Sequence, residues 1–281
     1  MQQVQRWFVW SVGILVGLGF LGLTTGNAAD GAQPSVFQAA GLTPESIQST
    51  VDQYRAALGE PNNANNPGPL PAGRREINWD GGGNNDTTAP LPPVTPFDVF
   101  LDSRGSRFIT PGTGLTQGPP SGGPQGGLAT LFNNPTYGAI FSTFSPLRLF
   151  TPVGSNHTEA TFFIPGTNGA APATVRGFGA VFTDVDRPNG DRSGQPLVTH
   201  IPSTLIRYFG ADGSLLFTGF APASPGDASL SFFGIVFDDP RIARVVIITG
   251  SVAPGPNDDD RHDIVVMDDV LYGEPQPVPV P

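Results

Sequence analysis

The chain has 281 residues, enough for one large β domain with appendages, and its 37 glycines and 31 prolines beside 20 phenylalanines describe a packed body with long loops. Acidic residues outnumber basic ones 24 to 14, for a formal net charge of -10, and every basic residue is arginine; such a surface argues against nucleic acid and anionic membranes as partners, because both are held by basic patches. Cysteine is absent, which excludes a disulfide scaffold and thiolate chemistry and leaves stability to a core, to oxygen-ligated metals or to self-association.

The first 29 residues carry one positive charge at Arg6, an apolar run from Trp7 to about Leu23 and then small residues at Gly26-Asn27-Ala28-Ala29. That layout predicts a secretory signal over residues 1–29 and an exported mature chain, the alternative being an uncleaved anchor. Residues 30–94 read as a helix followed by a Pro/Gly/Asn-rich linker. In "LTPESIQSTVDQYRAALG", Thr43 is a cap and Pro44 sits where a missing N–H costs nothing. Ile47, Val51, Tyr54 and Leu58 recur on one helical face before Gly59, and that stripe predicts packing on the adjoining sheet. "EPNNANNPGPLPAG" has no periodicity, a short strand is expected at 77–79, and the tracts after it and at 110–127 read as long surface loops.

Over residues 95–275 short apolar-alternating runs are separated by turn residues. Strands are expected at 97–101, 106–109, 139–144, 147–151, 159–164, 175–185, 203–210, 214–220, 229–237, 241–249 and 263–271, with Ala211-Asp212-Gly213 turning a hairpin. The fold class this implies is all-β, an antiparallel β-sandwich or jelly roll with one short N-terminal helix, before a Pro-rich tail at 276–281. The neighbours Phe162-Phe163 and Phe232-Phe233 must point opposite ways in their strands, so one of each pair needs a second cover.

Two acidic stretches could carry chemistry. "VRGFGAVFTDVDRPNGD" runs from a strand into Asp184, Asp186, Asn189 and Asp191, the short oxygen side chains that calcium takes from a loop, although an ordinary acidic turn uses the same residues. In "DIVVMDDVLYGEP", strict alternation puts Asp268 on one face with Val266, Val270 and Tyr272, and Asp269 on the other with Met267 and Leu271. A sheet covered on both sides would then bury at least one carboxylate, which must be neutralised, hydrogen-bonded, paired with an arginine such as Arg148, Arg176 or Arg244, or bound to calcium.

"GFGAVFTDVD", "YFGADGSLLF", "SFFGIVFDDPRIARVVIITG" and "VVMDDVLYGEP" together resemble, in order, the strand signatures of secreted bacterial jelly-roll domains of the galactose-binding or carbohydrate-binding-module type, as found in exported proteins with a PEP-CTERM sorting tag. The resemblance covers about residues 175–275, while the ending "EPQPVPVP" departs from the tagged members. It implies a structural calcium at Asp184, Asp186, Asp268 and Asp269, and glycan binding. Trp79 and Tyr208 are the aromatic candidates for a sugar contact, the alternative being that their rings are core. No nucleophile elbow, helical histidine pair or phosphate loop is present. The expected function is an exported, non-catalytic, calcium-stabilised domain for a glycan or matrix component; the alternatives are an envelope assembly protein and a polysaccharide hydrolase.

Overall fold

The computed structural model describes residues 33–80, 92–122, 126–186, 203–224, 226–256 and 262–278. They belong to one compact unit, Ala32–Pro281. The expected signal segment lies outside the described residues, and no described helix is long and apolar enough to cross a membrane.

In chain order the elements are β1 (Ser35–Gly41), α1 (Pro44–Leu58), β2 (Arg74–Ile77), α2 (Leu101–Arg104), β3 (Ser106–Ile109), β4 (Gly114–Gly118), α3 (Gly127–Leu131), α4 (Tyr137–Ile140), β5 (Leu149–Val153), β6 (His157–Phe162), β7 (Ala173–Thr174), β8 (Gly177–Thr183), β9 (Leu205–Phe209), β10 (Leu215–Phe220), β11 (Leu230–Val236), β12 (Arg244–Ile248), β13 (Val266–Gly273) and β14 (Gln276–Pro277). A seven-stranded sheet runs β1-β11-β8-β13-β5-β4, with β2 also paired to β13, and a five-stranded sheet runs β10-β9-β12-β6-β3. All strand pairings are antiparallel. The two sheets pack as the expected sandwich.

Alternation decides what lies between them. Phe178, Ala180 and Phe182 of β8 and Phe233 and Ile235 of β11 meet Phe162 of β6, Ile206 and Tyr208 of β9, and Val245 and Ile247 of β12. The intervening residues Val181, Leu230, Phe232 and Val236 face outward, where Ile47, Val51, Tyr54 and Leu58 of α1 cover them. Phe232 thus finds the second cover that its neighbour Phe233 made necessary. A second outer cluster, Leu128, Phe132, Tyr137, Ile140 and Phe141, covers Leu149, Ile264 and Val266 at another part of the same sheet.

α1 is seated by a gap in that surface. Gly179 and Gly234 stand opposite each other in the β8–β11 register, and a Cβ on Gly234 would come within 2.8 Å of the Tyr54 ring. The paired glycines let the ring lie against the sheet backbone, and its hydroxyl donates to the Ile235 carbonyl at 3.3 Å. This contact fixes the position of the next residue, Arg55.

Several elements differ from the sequence reading. β1 and β4 are strands of the larger sheet within stretches that look like linker or loop, and the short strand expected at 77–79 begins earlier, as β2 at Arg74–Ile77. Phe97 makes only an isolated bridge to Phe108, and the chain then turns into α2. Residues 139–144 are not a strand, because α4 ends at Ile140 and the chain then runs irregularly to β5. The "EPNNANNPGPLPAG" stretch is tied down by a buried ion pair between Arg75 and Glu274, with Nε and Nη2 donating at 2.6 and 2.7 Å. Arg75 also donates to the Ala64 and Asn66 carbonyls, and Glu274 accepts from the Asn63 amide and the Leu70 N–H.

Candidate functional site

The acidic doublet occupies a β-bulge. Met267 pairs with Phe182 and Val270 with Ala180, so Asp268 and Asp269 together stand opposite Val181. One extra residue reverses the alternation. Val265 and Met267 before the bulge and Val270 and Tyr272 after it all face the sandwich core. Ile264, Val266 and Leu271 face outward. Strict alternation therefore does not hold here: both carboxyls turn to the outer face, in the seam between the α1 cluster and the α3–α4 cluster.

They are covered there by the segment following α4. Asp268 Oδ2 accepts the Phe144 N–H at 2.5 Å, and Ser145 Oγ donates to Asp269 Oδ1 at 2.5 Å. Asp80 pins the same segment further along, accepting the Leu147 and Arg148 N–H groups at 2.6 and 3.0 Å. Only 0% of Asp268 and 4% of Asp269 is exposed, so two negative charges side by side cannot both be solvated. Burial first, and then the Asp269 charge, raise the Asp268 pKa well above the usual carboxylate range. Burial also raises Asp269, with hydrogen bonds from Ser145 and Asp268 and the Arg55 charge opposing it, to about 6. The two carboxyls accordingly titrate as a pair and hold a proton to higher pH than isolated carboxyls do.

The cation beside it is Arg55, whose Nη2 lies 4.0 Å from Asp269 Oδ2. Two of the expected partners are engaged elsewhere, Arg244 with Glu159 at 2.9 Å and Arg176 with the Phe237 carbonyl, while the Arg148 main-chain N–H is taken by Asp80. Arg55 also bonds Asp52 and Glu76 at 2.9 and 3.0 Å. Glu76 in turn accepts from Arg74 at 2.6 Å, so it lies between two guanidinium groups.

A cleft of about 330 Å³ opens at this seam. Its lining comprises Arg55, Glu76, Asn78, Arg104, Ser145 and Asp269, with Asn62 and Ala64 from the loop before β2. The lining combines donors and acceptors. Neither family models, curated proteins nor solved structures gave a match to the chain.

The other expected site residues fall differently. Trp79 and Tyr208 are fully buried and offer no face to an incoming sugar. Trp79 stacks on Phe150 with centroids 3.7 Å apart, and its Nε1 donates to the Asp268 carbonyl at 2.7 Å, which anchors the bulge from the core side. Tyr208 donates to the Phe178 carbonyl at 3.2 Å. A large ring with a satisfied polar tip gains more from the core than from water. Asp184 ends β8 with φ +64°, is buried, and donates its N–H to the Ser229 carbonyl. Asp186 follows at the edge of the described chain, and Asn189 and Asp191 lie outside the described residues.

Among the described residues no three His, Asp or Glu side chains come together as a metal-ligating group. Calcium takes six to eight oxygens. The Asp268–Asp269 pair offers it few free oxygens, since a backbone N–H and a hydroxyl already bond the carboxyls and a guanidinium lies 4.0 Å away. Residue pattern alone did not single out Arg55, Glu76, Arg104 or Ser145. Arg55 alone carried a signal, as the residue next to the buried Tyr54 on the helix.

Proposed function

We propose that the cleft beside the Asp268–Asp269 bulge is a saccharide-binding site, and that the protein is an exported, non-catalytic β-sandwich that holds a glycan. The observation carrying this reading is the composition of the lining. Guanidinium and amide groups donate, carboxylates and carbonyls accept, and the Ser145 hydroxyl does both, all within about 330 Å³. A sugar ring presents vicinal hydroxyls that need that mixture, and the volume suits a small ligand. Catalysis is disfavoured by the same contacts. Both Glu76 oxygens are engaged by arginines, and Asp269 is held by Ser145, so neither carboxyl is disposed to transfer a proton to a glycosidic oxygen.

The test is retention of the intact protein on a glycan array, compared with the variant Asn62→Ala/Asn78→Ala. Both asparagines line the cleft and are exposed, and their own bonds are local, Asn62 accepting the Ala64 N–H at 3.0 Å and Asn78 donating to Asp80 at 3.4 Å, so the variant should melt within a few degrees of the parent. Saccharide affinity is expected to drop roughly tenfold, the size of one or two lost hydrogen bonds. An array on which nothing is retained, or retention unchanged in the variant, removes the proposal.

A further inference from the structure

We infer that the ligand of this cleft carries a carboxylate and that Arg104 seats it; this rests on the cleft being a saccharide site and narrows its ligand to acidic saccharides built from uronic acids. The arginines around the cleft are not equivalent. Arg55 is answered by Asp52, Glu76 and Asp269, Arg74 by Glu60 and Glu76, and Arg75 by Glu274. Arg104 lines the cleft and makes no salt bridge among the described residues.

Its guanidinium is nevertheless held in place. Nε donates to Asn65 Oδ1 at 2.9 Å, Nη1 donates to the Glu76 carbonyl, and Cζ lies 5.2 Å from the centre of the Phe100 ring. These contacts set the plane of the group and leave Nη2 without an acceptor among the described residues. Burial lowers the Arg104 pKa and outweighs the Tyr272 and Glu76 contributions that raise it, with the neighbouring Arg75 charge adding to the burial. A fixed, partly desolvated guanidinium with a spare N–H edge is preorganised for a planar oxyanion.

The acids in the lining do not oppose this. Glu76 is neutralised by Arg55 and Arg74, and Asp269 accepts from Ser145 and lies 4.0 Å from Arg55. A uronate places its carboxylate on the same ring as hydroxyls, so the carboxylate can meet Arg104 while the hydroxyls reach Asn62, Asn78 and Ser145.

Calorimetric titration of the intact protein with oligouronides and with their methyl esters tests the inference without altering the fold. The acid is expected to bind roughly tenfold or more tightly than the ester, the size of a charge-assisted contact. Arg104→Gln should erase that preference while ester binding persists, and Arg104→Lys should restore part of it. An ester that binds as tightly as the acid overturns the carboxylate inference and leaves the saccharide site standing. Binding of neither compound overturns both.

Discussion

Replacing Asp268 by asparagine removes one ionisable member of the buried pair while keeping its shape. The asparagine oxygen can still accept the Phe144 N–H, and its amide can donate to the neighbouring Asp269 carboxylate. Folding raises the Asp269 pKa from the ordinary 3.8 to about 6, and that of Asp268 well beyond the usual range. A carboxyl whose pKa rises on folding is bound to its proton more tightly in the folded chain. Its favourable contribution is fully present below 3.8 and is lost as pH climbs through about 6. The Asp269 difference alone corresponds to about 3 kcal/mol. The charged and polar groups facing the pair are Arg55 from α1, Glu76 from β2, and Ser145 with the Phe144 N–H from the covering segment. Arg55 stays charged throughout, so the change belongs to the carboxyls.

The assay is urea unfolding of parent and Asp268→Asn at about pH 4, 6 and 8. Other carboxylates titrate equally in both proteins and cancel in the difference. Asp269 titrates in both proteins, so the difference reports Asp268: the variant is expected to gain on the parent as pH rises from the lowest to the highest value, with an unchanged denaturant slope. A difference that stays flat within about 1 kcal/mol would show that Asp268 does not hold its proton more tightly in the folded chain, and the account of the bulge would fail.

Three further outcomes follow from the packing. Glu274→Gln strips the counter-charge from a fully buried Arg75 and should cost about 3–5 kcal/mol, lowering the melting temperature by roughly 6–20 °C; a drop of only a degree or two would contradict the buried pair. Gly234→Ala drives a methyl into the Tyr54 ring, at a cost of about 1–3 kcal/mol, and should weaken saccharide binding as α1 shifts and carries Arg55 with it; an unaffected melt would count against the seating of α1. A chain lacking residues 1–29 retains Trp79 as its one tryptophan, so its emission should be blue-shifted, protected from acrylamide and insensitive to saccharide. Direct quenching by a bound sugar would reinstate Trp79 as a contact residue.

What the amino-acid order determined by itself is local and periodic. Ile47, Val51, Tyr54 and Leu58 form the buried stripe of α1, because their spacing alone selects one helical face. The same holds for Phe178, Ala180 and Phe182, whose alternation already assigns them to one side of β8. It failed where regularity is weak: β1 is an edge strand of small and half-exposed residues, and β4, "GLTQG", reads as a turn until β5 pairs with it. The need to answer charge at Asp268 and Asp269 was legible too, since buried carboxylates cannot stand alone. How it is answered was not. The bulge exists only as a count of residues against β8, and one strand read by itself carries no record of its partner's length. Arg55 reaches the pair because a glycine gap across the neighbouring strands β8 and β11 seats Tyr54. Such contacts join positions far apart in the chain, and only the packed sheet brings them within the few ångströms at which a proton, a guanidinium and a hydroxyl can compete for the same oxygens.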